Sequence, residues 1–132
     1  MTSMLPSYEG PLQYWLLFMS SLTIFNTIQA YISPAVTRNI YTGDPTQVTA
    51  LSARTFGTWT LIEGIVRAYT AYHVNSPDAY VLALCTFGSA VWHWGSEWLW
   101  FGTVEWSGVW PSLMLDVPST VWMLMSWSAY TQ

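Results

Sequence analysis

Six of the ten tryptophans in this 132-residue chain crowd together as Trp92, Trp94, Trp98, Trp100, Trp106 and Trp110. An indole joins an apolar body to a single N–H donor, so it is favoured where hydrocarbon meets lipid headgroups. A stretch this rich in indole predicts an interfacial belt on a membrane-embedded chain. Composition agrees: 52% of the residues are hydrophobic, 8% are charged and none is lysine. A soluble domain of this size would be left with large bare apolar patches. The net charge of −4 comes from seven carboxylates and three arginines. No basic stripe results, which excludes nucleic acid as a partner. Cys85 stands alone in an apolar run and reads as a small hydrophobe.

A membrane helix needs about 20 mostly apolar residues. Four windows meet that need: residues 12–33, 51–73, 78–101 and 108–130. The first lacks a basic leader and is longer than a signal-peptide core, so it reads as a retained span. The second is interrupted by Arg54, Glu63 and Arg67. Asp78 is expected to cap the third, and Pro118 to kink the fourth. Short links force antiparallel neighbours. The expected fold is therefore an all-α membrane protein, a four-transmembrane-helix bundle in one domain over residues 1–132, with both termini on one side and the lipid bilayer as its surroundings.

Charges inside a span are costly and seek partners. Counting helical rise from each turn places Arg54 level with Glu97, and His93 one turn from Glu97 on the same face. The same count brings Asp116 level with Trp94, Gln29 opposite Arg54 and Asn26 one turn deeper. Asn26, Gln29, Arg54, His93, Glu97 and Asp116 are thus expected to converge in one layer toward one face of the bundle, with an Arg54–Glu97 ion pair at its centre. Glu63 and Arg67, at i and i+4, form a second pair. Polar side chains bonding across helices account for such a layer structurally. A catalytic or ion-conducting site uses the same groups. Gly57, Gly64, Gly88 and Gly95 are small enough for close helix approach, although none is in GxxxG spacing. Exposed Gly, Ser and Trp on the last two spans also predict a homodimer.

Cofactor chemistry finds little support. His73 and His93 lie about 20 Å apart in height on facing helices, too far to ligate one haem iron. No Cys/His metal spacing, phosphate loop or nucleophile–base motif is present. No cofactor is therefore expected.

Several short runs look familiar together. Asn26-Thr27-Ile28-Gln29, Tyr41-Thr42-Gly43, the stretch from Ala53 to Leu61 that includes Arg54, Phe56, Gly57 and Trp59, then Arg67, His93-Trp94-Gly95-Ser96-Glu97 and Gly102-Thr103 resemble the ergosterol biosynthetic protein 28 family. The similarity runs from about residue 12 to 125 in order and spacing, and its most specific element is the run Ala-Arg-Thr-Phe-Gly-x-Trp-Thr-Leu. Glu63 and Asp116 stand outside the pattern, so the resemblance implies nothing about them. It implies a non-catalytic, multi-pass protein of the endoplasmic reticulum membrane. Its expected partners are the sterol C-4 methyl oxidase, the C-3 sterol dehydrogenase/decarboxylase and the 3-keto sterol reductase, with sterol C-24 methyltransferase as a further associate. The competing expectation is a sterol double-bond isomerase, with Glu97 or Asp116 moving the proton and tryptophan faces steadying a carbocation. A small transporter is the third; it needs a site at the midplane.

Overall fold

The computed structural model describes residues 4–132, which form helices and connecting loops. Helix α1 runs Pro11–Ile32, with proline at its first position where the ring pre-sets φ and no N–H is lost. It ends at Ser33, which is extended because Pro34 follows. A short α2, Ala35–Ile40, leads into a loop containing the single 3₁₀ turn Pro45–Gln47. Helix α3, Ala50–Tyr72, opens on a reciprocal capping box. Thr49 Oγ1 accepts from Ser52 N at 3.0 Å and Ser52 Oγ from Thr49 N at 2.8 Å.

Helix α4, Pro77–Ser96, is capped by Ser76 rather than by the expected Asp78. Pro77 takes the first helical position, which leaves Asp78 in the first turn, where its charge meets the positive end of the helix dipole. At its far end α4 widens into a π turn, Glu97–Phe101, closed by Gly102 at φ 70°. The expected third span thus includes this π segment. The fourth divides at Ser126 into α5, Trp106–Met125, and α6, Trp127–Thr131. The break turns Tyr130 back so that its hydroxyl accepts from Leu12 N at 3.3 Å.

α1 packs on α3, α3 on α4 and α4 on α5, all antiparallel. α1 and α5 meet at one end, where Trp15 Nε1 donates to Ser119 Oγ at 2.7 Å and the Trp15 and Trp122 rings lie 6.2 Å apart. A heptad seam joins α1 to α3. Gln13, Ser20 and Thr27, seven residues apart, donate to the carbonyls of Ala71, Gly64 and Gly57, also seven apart, at 2.8, 2.7 and 2.9 Å. Two turns separate successive rungs, so donors and acceptors stay on facing stripes. Small residues make the approach possible: a Cβ on Gly64 would lie 2.7 Å from Ile24, and one on Gly57 3.1 Å from Ala30.

Apolar packing forms two centres. One, at the end carrying the α3–α4 turn, gathers Leu12, Leu16, Tyr80, Phe87 and Met123. The other, at the loop end, gathers Ala90, Trp94, Val104, Val109 and Leu113. The outward faces carry large apolar side chains, among them Ile32 at 79%, Trp100 at 78% and Met125 at 81% exposure. Among the described residues α1 is the one helix long and apolar enough by hydropathy to cross a membrane. Phe18, Phe25, Ile28 and Tyr31 are exposed along it, unlike the core helix of a soluble protein. α3 carries Arg54, Glu63 and Arg67, while α4 and α5 are dense in Trp, Ser, Gly and Pro, which the hydropathy index scores as polar.

Candidate functional site

The expected single polar layer is two clusters at different depths. At the loop end, Tyr41 Oη and His93 Nε2 lie 2.7 Å apart, and the Thr103 hydroxyl donates to the Glu97 carboxylate. The π turn curls over this cluster: Thr103 N donates to Glu97 O, and Gly43 N to Thr103 O, both at 3.0 Å. Gly43 must be glycine here, since a Cβ would stand 2.1 Å from the Gly102 carbonyl. The Tyr41 ring packs on Phe56, His93 and Trp94 at 6.0, 6.0 and 5.5 Å. Trp59 meets His93 at 5.1 Å. Burial, helped by the negative charge of Glu97, pushes the Tyr41 phenol above its ordinary value. Nearby Asp44 is held below the usual carboxylate range by hydrogen bonds from Thr46 and Gln47. A cavity of about 160 Å³ separates Asp44 and Ser52 from His93 and Glu97.

The second cluster lies near mid-length of the helices. Glu63 and Arg67 are 4% and 1% exposed and paired at 3.5 Å. Arg67 Nε donates to Thr86 Oγ1 at 3.0 Å, and its guanidinium rests 3.8 Å above the Phe87 ring. Asp116, 6% exposed, faces the same cavity of about 150 Å³. Asn26 reaches this cavity too and donates to Thr60 Oγ1 at 3.2 Å.

Two expectations are corrected. Arg54 makes no ion pair with Glu97: its side chain is exposed, and the salt bridge present among the described residues is Glu63–Arg67. Trp59 meets His93 and Arg67 meets Thr86, contacts that match the α3–α4 register obtained by counting helical rise. Height leaves the angle around the axis open, and Arg54 is 200° from Phe56, which faces α4. Asp116 is not level with Trp94. Tyr80 Oη donates to Met123 O at 2.6 Å, so Asp116, two turns before Met123, stands level with Phe87, two turns after Tyr80. The π turn and the loop after it move the hairpin's centre toward α4, which lowers Asp116 by about two turns. Gln29 is half-buried and its carbonyl caps Ser33.

The tryptophans also divide. Trp92, Trp100, Trp106 and Trp110 are exposed, whereas Trp94 is in the core and Trp98 packs at a tilt against Trp106, with ring centroids 5.1 Å apart. Of the four glycines, Gly57 and Gly64 seat α1, while Gly88 and Gly95 face open space. Thr86 completes the buried cluster without a signature in the sequence, and Thr27 and Thr60 lie in the quoted runs, which do not tell what their hydroxyls meet. Thr55, on the same helix as Thr60, bonds a carbonyl of its own helix, and no local pattern tells it from a threonine that also meets a second helix.

The motifs quoted for the resemblance, Tyr41-Thr42-Gly43, Phe56-Gly57-x-Trp59 and His93 to Glu97 with Gly102-Thr103, are the residues that build the loop-end cluster. A family model described as Erg28 like protein matches residues 12–124. The chain belongs to the Erg28 family. It is 47% identical over 122 residues to ergosterol biosynthetic protein 28 of Candida albicans, covering 92% of this chain and 88% of the relative. With the Saccharomyces cerevisiae protein of the same name it shares 42% over 125 residues, 93% of this chain and 84% of the relative. A mouse ergosterol biosynthetic protein 28 homolog is 35% identical over 116 residues, 86% of this chain and 83% of the relative. No solved structure matches the chain. The names of these relatives place the family in ergosterol biosynthesis and name no reaction.

Proposed function

We propose that the chain is a non-catalytic scaffold of the endoplasmic reticulum membrane. In this reading it spans the bilayer four times through α1, α3, α4 and α5 and holds the sterol C-4 demethylation enzymes together. The observation that carries the reading is the outward surface. All four long helices expose large apolar side chains along their length, including Phe18, Ile62, Leu82 and Leu124. Their buried polar groups find partners inside the bundle, with α1 side chains on α3 carbonyls, Arg67 on Glu63 and Thr86, and Glu97 on Thr103, while Arg54 near the start of α3 faces outward. Such a chain can act only on lipids or on the membrane segments and nearby surfaces of other proteins. Tethering consecutive enzymes raises their effective concentration and limits the escape of poorly soluble intermediates. The C-4 methyl oxidase, the C-3 dehydrogenase/decarboxylase and the 3-keto reductase are the expected partners, with sterol C-24 methyltransferase as an associate and a second copy of the chain as a further one.

Purification from a fungal membrane in mild detergent, followed by identification of what accompanies the chain, tests the reading. Recovery of the three C-4 demethylation enzymes is expected. Turnover of a sterol by the purified chain alone overturns it in favour of the double-bond isomerase.

A further inference from the structure

The cavity beside Glu63, Arg67 and Asp116 holds polar capacity that the protein leaves unused. Glu63 Oε1 and Arg67 Nη2 are buried without a hydrogen-bond partner, 3.5 Å from one another. One is an acceptor and the other a donor. A hydroxyl serves both at once, accepting from the guanidinium and donating to the carboxylate. A charged group fits worse, because an anion meets two carboxylates and a cation meets the guanidinium. The walls next to this polar end are aromatic, from Phe56, Trp59 and Trp94. At about 150 Å³ the cavity has the volume that takes one six-membered ring.

The way in is lateral. α1 and α5 meet at Trp15, Ser119 and Trp122 and are not among the helix pairs that pack closely along their length. Between them the cavity is bordered by Leu22 and Thr23 of α1 and by Ser112 and Leu115 of α5, all at least partly exposed. In a chain that spans the bilayer, as proposed above and on which this inference rests, that gap opens onto lipid. We propose that the α1–α5 cleft binds a sterol-class alcohol, with its hydroxyl bridging Glu63 and Arg67, its hydroxylated ring in the cavity beside them and the remainder of the molecule lying in the cleft. Water carries the same hydroxyl chemistry, and the experiment separates the two sources.

The full chain, purified without partner enzymes and reconstituted in nanodiscs, is photolabelled with ergosterol carrying a diazirine on its side chain. The matching 3-methyl ether serves as comparison. Expected are saturable labelling of α1 and α5 peptides by the free alcohol and at least tenfold weaker labelling by the ether, which cannot donate to Glu63. Ser112→Trp, which fills the mouth without touching the charged groups, should reduce labelling at least tenfold with an unchanged melting temperature. If Ser112→Trp melts early, Leu22→Trp blocks the mouth from the opposite helix. Equal labelling by alcohol and ether, or no saturable labelling by either in the unsubstituted chain, overturns the proposal and leaves the cavity to water. Co-purification of the enzymes with Ser112→Trp is read separately, so loss of sterol binding and loss of scaffolding are told apart.

Discussion

Arg67 is the most heavily committed side chain of the bundle, with Glu63, Thr86 and Phe87 all on its guanidinium. Removing it strands two buried carboxyl groups, so Arg67→Leu should destabilise the protein by about 3–5 kcal/mol. Thr86→Val should cost about 1 kcal/mol. Arg54→Leu, an exposed and unpaired position, should change stability by less than about 0.5 kcal/mol. Thermal melts of the three variants in one detergent check the order. Comparable losses for Arg54→Leu and Arg67→Leu would refute the assignment of the buried pair. Tyr41 yields a pH prediction. Burial and Glu97 raise its folded-state value above the ordinary 10.0, so the folded protein keeps the proton that the unfolded chain loses. Its contribution is therefore complete below about pH 10 and declines as pH rises beyond that. Tyr41→Phe should flatten the alkaline decline in melting temperature while losing the hydrogen bond to His93. The pair Glu63 and Arg67 is legible from i, i+4 spacing alone. Thr86 and Phe87 are not, because nothing local to α4 tells which of its residues meets α3.

At the scale of elements, the α1–α3 seam and the outer face of α4 use the same device with opposite outcomes. Gly57 and Gly64 on α3 are seven apart, as are Gly88 and Gly95 on α4, yet only the first pair has a helix seated on it. Gly64→Leu should overpack the seam and cost about 1–3 kcal/mol or more. Gly88→Leu, facing open space, should leave the melting temperature of the isolated chain nearly unchanged. Equal damage from both would contradict the packing order. Ser20→Val and Thr27→Val should each cost about 1 kcal/mol, the value of one hydrogen bond onto an α3 carbonyl. Heptad spacing of Gln13, Ser20 and Thr27 against Ala71, Gly64 and Gly57 stands in the sequence as a pattern. It becomes a seam only through the register of the first hairpin, which the counting of rise places correctly. The second hairpin is equally legible. The third is not, since a π turn has no sequence signature strong enough to shift the count, and Asp116 moves with it.

For the whole molecule, the large apolar side chains exposed on the four long helices predict four spans with both ends of the described chain on one side of the membrane. Glycosylation sites introduced near residue 4 and at the C-terminus should be modified together or not at all; modification of one alone would overturn the topology. The far end of α4 is set by the π turn, whereas helix existence and the limits of α1 and α3 follow from the sequence by itself, because apolar run length, Pro at the first turn and the Thr49/Ser52 box are local causes. So does family membership, carried by motifs that keep their order and spacing. Only the tertiary structure decided which charged groups face each other across helices. Helical rise sets the height of a side chain, but the angle at which two helices face each other depends on every residue packed between them. That angle turns Arg54 outward, sets Arg67 over Phe87 and brings Asp116 to the cavity beside Glu63.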